Sequence, residues 1–292
     1  MYNVCALITI YYPDKTIVEN IRTIEKQVSH IIIADNTPCM DNSSLFMNND
    51  KIFYYANKVN MGLSKAFNKC LRHDNAINSD YIIFFDQDAI LPERLVDTMI
   101  DDYNRLRKNN VMIGCLGPIY YEQNSMKVLS VKNETKMMNH IFSVRYIMTS
   151  SMLTTYSNLE KIGFWNEEIF LDLADWDLCW RFKAFGLGCF ITENVILHHT
   201  LGKSIKKIGL FSVKEAVPIR EYYQIRDCLK LLFKEYTPLK YRIRFILMIT
   251  VRSIIHILVL PEKCLRMKFI FWGIIDFFCS VNGLVDLRKR KK

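Results

Sequence analysis

The sequence predicts an α/β fold, with a mixed, mostly parallel sheet over residues 1–209 and a helical, basic region over residues 210–292. Short continuous apolar runs, rich in β-branched and aromatic residues, alternate with stretches whose apolar residues recur at helical spacing. Residues 4–35 read strand, helix, strand, which is one βαβ unit with the right-handed crossover such units adopt. Several runs stop at Asp, Asn, Gly or Pro. Polar side chains therefore gather at strand ends, where open α/β sheets bind their ligands.

Composition bounds the reading. A chain of 292 residues holds one large α/β domain, or a domain with an appendage. At 50% hydrophobic residues it builds a sizeable core, which excludes global disorder. A net charge of +9 favours acidic partners such as nucleotides or an anionic membrane. A nucleic-acid partner is not expected, because only charge supports it and the strand ends are acidic. The 9 cysteines show no C-x-x-C spacing, so neither a disulfide framework nor a zinc site is expected, and reduced thiols fit a cytoplasmic protein. Residues 1–12 lack a basic leader and a cleavage site, and read as a first strand rather than a signal peptide.

Each element has its own signal. Val4–Ile10 is continuously apolar, as in a parallel strand covered on both faces. Tyr11-Tyr12-Pro13-Asp14 turns the chain, and residues 16–27 place Ile17, Val18, Ile21 and Ile24 at helical spacing. A second strand over residues 30–34 stops at Asp35-Asn36-Thr37-Pro38. Asp35 there suits hydrogen bonds from a base or ribose, or serves only as a turn former. A dinucleotide site is not expected, because no G-x-G-x-x-G follows the first strand. Ile52–Ala56 is a third strand. Asn60-Met61-Gly62 gives a tight turn into a helix over residues 64–71, whose N-terminus suits an anion.

The strand over residues 81–85 organises the rest. It ends in Asp86-Gln87-Asp88, a hard anionic oxygen site suited to Mg²⁺ or Mn²⁺ carrying a diphosphate. The same aspartates also suit the cap of a helix over residues 92–106. A further strand over residues 111–116 ends at Gly117-Pro118, and residues 120–140 read as a connecting excursion, with a hairpin over the site as one form of it.

The first strand, the Asp35-Asn36 strand end, the Asn60-x-Gly62 turn and Asp86-Gln87-Asp88 together resemble family 2 glycosyltransferases of the GT-A fold. Phe85-Asp86-Gln87-Asp88 after a short first half resembles bacterial rhamnosyltransferases, and the likeness runs over residues 4–227. It implies a Rossmann-like nucleotide-diphospho-sugar transferase that inverts configuration and requires Mg²⁺ or Mn²⁺. The implied donor is dTDP-rhamnose or a UDP-sugar, and the implied acceptor a lipid-linked saccharide for O-antigen, capsule or other surface polysaccharide. The donor would be held by Thr9, Tyr11, Asp35, Asn36, Asn60, Gly62, Asp86, Gln87 and Ser150. Ser150 lies in a Thr149-Ser150-Ser151 triplet within residues 145–153; small hydroxyl residues near an apolar strand line a sugar pocket or simply pack in a strand, and the resemblance favours the pocket.

A second acidic centre follows the Gly163-Phe164-Trp165-Asn166-Glu167 turn. Asp172, Asp175 and Asp177 precede a helix over residues 178–185, where acids also serve as helix-dipole partners. Inverting transfer needs one carboxylate to take the acceptor's proton. The family motif maps that base to Asp175, with Asp177 the alternative because Ala174 stands where relatives carry an acid. Strands follow at residues 188–192 and 195–197. After them His199, or His198 in its place, would join Asp86 and Asp88 at the metal, and Lys203 would approach phosphate. Residues 218–227 resemble the R-x-Y-Y-x-x-R-N/D segment of the same enzymes. Arg220, Tyr223 and Asp227 share one helical face there, with Arg226 beside them, and both arginines suit a diphosphate clamp or a solvated face.

The tail is apolar and basic. Residues 241–260 and 267–281 are too interrupted to span a membrane, and suit helices lying on the inner face of the bacterial cell membrane. Residues 288–292 add a cationic cluster. The other reading is a helical appendage packed on the catalytic domain or on a second copy, giving a homodimer. A nucleotide-sugar-binding scaffold without catalysis is the rival for the whole chain, and the Asp175-Trp176-Asp177 cluster opposes it. The sole boundary expected is near Ile208-Gly209-Leu210.

Overall fold

The computed structural model describes residues 2–46, 49–122, 127–128, 135–199, 205–208, 211–214, 217–285 and 287. The parallel half comes first: β1 (Val4–Ile10), α1 (Thr16–Glu25), β2 (His30–Asp35), β3 (Ile52–Ala56), α2 (Leu63–Cys70), α3 (Asp74–Ile77), β4 (Tyr81–Asp86) and α4 (Leu95–Lys108). The second half adds β5 (Ile113–Glu122), β6 (Lys127–Val128), β7 (Thr135–Met138), β8 (Ile141–Val144), β9 (Met152–Thr154), α5 (Tyr156–Lys161), α6 (Ala174–Ala184) and β10 (Gly188–His199). β11 (Ile205–Ile208) and β12 (Phe211–Lys214) pair antiparallel, and the expected boundary falls on residues between them that lie outside the described ones. The chain continues as α7 (Ile219–Leu232), α8 (Leu239–Leu247), a π-helical turn (Met248–Arg252), α9 (Ser253–Val259) and α10 (Lys263–Phe278).

The main sheet has the order β3-β2-β1-β4-β9-β5-β10-β8-β7, with β6 paired to β5. β3, β2, β1 and β4 run parallel, and β9 is inserted antiparallel between β4 and β5. Side-chain alternation splits the core between the two faces. Val4, Ala6, Ile8 and Ile10 pack with Ile17 and Ile21 of α1 and Met99 of α4. Cys5 and Leu7 pack on the opposite face with Phe67 of α2 and Leu178 of α6. Burial of both faces is why these strands read as continuous apolar runs. From β1 the chain proceeds to β2 and β3 on one side, while β4 lies on the other. The reversal between β1 and β4 is the switch point where such sheets open a crevice.

The structure corrects several expectations. β5 does not stop at Gly117-Pro118 but runs on to Glu122; Pro118 is in register with Thr192, next to an irregularity in the ladder that relaxes the need for its missing N–H. The two strands expected after residue 188 are one, bent between Thr192 and Ile196. Residues 149–151 lie in the turn before β9 rather than within a strand. The helix expected from residue 178 begins at Ala174, so Asp175 and Asp177 sit in its first turn. Residues 201–204 and 288–292, and with them Lys203 and the terminal cationic cluster, lie outside the described residues, as does most of the stretch between β5 and β7. Among the described residues no helix is long and apolar enough to cross a membrane.

The C-terminal helices are held by buried ion pairs. Glu221 of α7 is fully buried and meets His256 Nδ1 at 2.6 Å, Arg266 Nη1 at 3.1 Å and Arg252 Nη1 at 3.7 Å. Burial penalises its charge, yet the His256 hydrogen bond and the Arg252 and Arg266 charges win and hold the carboxyl below its ordinary range. Gly273 lets α10 close on α7, since a Cβ there would lie 2.7 Å from the Tyr222 carbonyl oxygen. Glu221→Gln keeps the shape but strands buried cations. It is expected to cost about 3–5 kcal/mol, read as a lowered denaturant midpoint with an unchanged slope.

Candidate active site

The switch point carries the acidic centre. Thr9 at the end of β1 is in register with Asp86 at the end of β4, and Ile10 with Asp35 at the end of β2. Gln87 then ties the loops together: its Oε1 accepts from the Tyr11 N–H at 2.8 Å, and its carbonyl accepts from Asn20 Nδ2 at 3.0 Å. Tyr11 itself is exposed at the rim.

Asp86 is half-buried and Asp88 exposed. Burial and then the Asp88 charge push the Asp86 carboxyl up to about 7. In the first turn of α6, Asp175 is raised well above the carboxylate range by burial, then by Cys179, with Asp86 adding. Its Oδ1 accepts from the Trp176 N–H at 2.9 Å. Tyr120 of β5 feels both aspartates. Burial first, then Asp86 and Asp175, keep its hydroxyl protonated, and it donates to the Ser150 carbonyl at 2.8 Å. Asp86 thus feels the Asp88 charge and Asp175 feels that of Asp86, and a divalent cation beside Asp86 and Asp88 would relieve that repulsion. Hard oxygen donors of this kind fit Mg²⁺ or Mn²⁺. The Ser150 and Ser151 hydroxyls beside them are buried without a hydrogen-bond partner.

The expected wall residues mostly hold one another. Asn36 donates from Nδ2 to the Gly62 carbonyl at 3.1 Å, and its Oδ1 accepts from Asn57 Nδ2 at 3.0 Å and the Met61 N–H at 3.3 Å. Asn60 Oδ1 accepts from the Gly62 N–H at 3.0 Å. Gly62 has φ +79°, and a Cβ there would lie 2.6 Å from the Phe170 carbonyl oxygen, so only glycine fits. Asp35 is fully buried. Its Oδ1 accepts from the Thr37 N–H at 2.7 Å and its Oδ2 from Asn42 Nδ2 at 2.7 Å and the Tyr54 hydroxyl at 2.6 Å. As placed, Asp35 shapes the wall and turns no free carboxylate outward to a nucleoside.

The two base candidates separate clearly. Asp177 is fully buried, and its oxygens accept from the Tyr236 hydroxyl at 2.6 Å, Arg181 Nε at 2.8 Å and Asn166 Nδ2 at 3.2 Å. Arg181 also donates to the Ile162 and Phe164 carbonyls, which fixes the Gly163-Phe164 turn to the helix. Asp177 is a strut, and Asp175 is the half-buried carboxylate with a raised pKa.

The arginines separate too. Arg220 is partly exposed and pairs with Asp172, which also accepts from Gln224. Arg226 is fully buried. Its Nε donates to Asp227 at 2.9 Å and its Nη1 to the Gly283 carbonyl at 2.8 Å, while Asp227 accepts from the Phe170 N–H at 2.8 Å. Sealed in this way, Arg226 props the Phe170 segment against Gly62 and is not placed to clamp a diphosphate. His199 ends β10 in register with Glu122, and its side chain lies outside the described residues.

Sequence spacing missed two groupings. Tyr120 has no signal in the sequence, because Gly117-Pro118 predicts the end of β5 before it. The thiols of Cys115, Cys179 and Cys189 lie within 4.8 Å of one another beneath α6, brought together from three elements that no short spacing connects. Trp176, next to Asp175, packs against Tyr146, Tyr241 and the Arg244 guanidinium.

Comparison with known proteins gives a consistent result. The model of glycosyl transferase family 2 matches residues 5–157. The chain is 24% identical to the dTDP-rhamnosyl transferase RfbF of Shigella flexneri, over 96% of this chain and 97% of that protein. A structure of GalNAc-T7 with UDP, GalNAc and Mn²⁺ superposes with a TM-score of 0.58 at 10% identity, covering 96% of this chain but 57% of that one. The Pyrobaculum calidifontis mannosyltransferase PcManGT, in complex with GDP-Man and Mn²⁺, superposes with a TM-score of 0.55 at 12% identity, covering 96% of this chain and 88% of that one. Both likenesses bear on the fold, which is GT-A.

The raised Asp86 sets a pH dependence. In the metal-free protein the folded state holds a proton that the unfolded state has released, between the ordinary 3.8 and about 7. Stability therefore falls as pH rises through that window. Comparison with Asp86→Asn isolates this residue's share of the slope, which the variant is expected to lose. Added Mn²⁺ is expected to raise the melting temperature of the wild type near pH 7.5 and not that of the variant.

Proposed function

Because this chain belongs to glycosyl transferase family 2, and is a glycosyltransferase drawing on a nucleotide-sugar donor, we propose that it moves L-rhamnose from dTDP-rhamnose with inversion. The acceptor is a lipid-linked saccharide of cell-surface polysaccharide synthesis, met at the cytoplasmic face of the membrane. The observation that carries the reading is the division of the acids between two elements: Asp86 and Asp88 at the end of β4, and Asp175 in the first turn of α6.

Asp86 and Asp88 are the residues that would hold Mg²⁺ or Mn²⁺, with His199 the third expected ligand; the ion would offset the charge of the departing diphosphate. Asp175 accepts the proton of the acceptor hydroxyl as that oxygen attacks the anomeric carbon. Its raised pKa strengthens it as a base. Thr9, Tyr11 and Gln87 line the donor side. Asn36, Asn60 and Gly62 keep the wall in shape, and the Ser150 hydroxyl offers a partner for a sugar hydroxyl. Arg220 reaches phosphate by releasing Asp172. Residues 1–209 form the catalytic unit and residues 210–292 its basic helical extension.

Asp175→Asn is expected to lower transfer by about 10²–10⁴-fold while leaving donor affinity within a few-fold in calorimetric titration. Loss of both together would reassign Asp175 to the metal or to the fold. A screen of dTDP- and UDP-sugars with Mg²⁺, Mn²⁺ or EDTA, read by slow donor hydrolysis, tests the sugar. Metal-dependent preference for dTDP-rhamnose is expected. Preference for a UDP-hexose would keep the chemistry and remove the rhamnosyl assignment, and no turnover of any donor would leave a non-catalytic binding protein.

A further inference from the structure

The helix pair α8–α9, joined through its π-helical turn, has two unlike sides. Tyr241 and Phe245 point inward against the catalytic helix α6: the Tyr241 ring lies 4.9 Å from that of Trp180 and 5.3 Å from that of Trp176. His256 and Arg252 turn inward to Glu221. On the other side, Leu239, Ile243, Ile246, Leu247, Val251, Ile254 and Leu258 are all exposed, Leu239 by 73% and Leu258 by 65%. Leu239, Ile243, Leu247, Val251, Ile254 and Leu258 recur every three or four residues, with Ile246 beside Leu247, so they form one stripe about 30 Å long. A row of large apolar side chains of this length is rare on a protein surface that meets only water.

The geometry points to this stripe as a seat on an anionic lipid surface, an inference that rests on the lipid-linked acceptor proposed above. Charge chooses the occupant. Lys240 on the same helix pair, and Lys263 and Lys268 on α10, are exposed, and the chain carries +9 overall. Self-pairing of two copies across the stripe would bring Lys240 and two chains of net charge +9 toward each other, whereas anionic headgroups neutralise them. No helix among the described residues spans a bilayer, so the arrangement is one of lying in the interface, apolar side down. It also sets a distance. One helix diameter, about 10 Å, separates the stripe on α8 from α6, on which Tyr241 packs, and this suits an acceptor whose lipid stays in the membrane while its sugar reaches the site.

The test is co-sedimentation with vesicles of equal parts phosphatidylglycerol and phosphatidylcholine, and with phosphatidylcholine alone. The full chain is expected to bind the anionic vesicles, and to do so less as salt rises. The double variant Ile243→Glu/Ile254→Glu, altered only at exposed positions, should partition at least about tenfold more weakly. Lys240→Gln/Lys268→Gln should partition more weakly by about fivefold per lysine. Both variants should hydrolyse dTDP-rhamnose in solution at the wild-type rate. Failure of the wild type to sediment, or undiminished binding by the isoleucine variant, overturns the seat. So does a dimer, detected by light scattering, that the isoleucine variant splits. Vesicle binding with no donor turnover would instead count against the enzymatic reading and leave the surface standing.

Discussion

One buried carboxylate holds the catalytic half and the C-terminal half in a fixed relation. Asp177 lies in the first turn of α6 and has no exposure, so its charge needs partners. It finds them in three directions: Arg181 one turn along, Asn166 in the loop before the helix, and Tyr236 from the segment between α7 and α8. Arg181 in turn anchors the Gly163-Phe164 turn. The start of α6, the approach to it and the first C-terminal connection are therefore fixed by one group. Asp175, two residues earlier, inherits its position from that arrangement.

The site on the sheet side follows from topology. Reversal of strand order between β1 and β4 leaves a gap beyond their carboxyl ends, and the residues at those ends need not satisfy one another as interior residues must. Asp86 and Asp88 fill that gap with charge that the protein does not itself neutralise. Asp35, at the end of the neighbouring strand, shows the other outcome. Its carboxylate is fully used by Thr37, Asn42 and Tyr54, and the crevice wall is rigid there as a result.

The parallel half was legible because both of its signals are local. Burial on two faces writes continuous apolar runs, and turn formers mark where they stop; β1, β2, β3 and β4 were found on that basis within a residue of their observed ends. The Asp86-Gln87-Asp88 pair was legible for the same reason. What failed needed three-dimensional information. The first turn of α6 was hidden because acids at a helix start read as residues preceding it. β5 was cut short because Gly-Pro reads as a stop unless the partner strand is known to be irregular there. A diphosphate clamp and a solvated face both leave Arg226 reachable, whereas α7 buries Glu221, Arg226 and Asp227 together. The thiol cluster and the aromatic surroundings of Asp175 are convergences of distant segments, for which the sequence holds no spacing rule.

The same buried polar contacts restrict how this protein can exchange parts with its relatives. Asp227 of α7 holds the Phe170 backbone, and the Phe170 carbonyl oxygen in turn accepts the Leu63 N–H at the start of α2. Recombination at residues 209–210, the natural place to graft one enzyme's C-terminal helices onto another's sheet, would part these partners while leaving every helix intact. A hybrid joined there must supply an Asp at position 227 and a Tyr at position 236 to meet the Phe170 backbone and Asp177, whereas Glu221, His256, Arg252 and Arg266 travel together. The C-terminal helices are separate in sequence, but the Asp227 and Tyr236 contacts tie them to the Phe170 loop and to the start of α6.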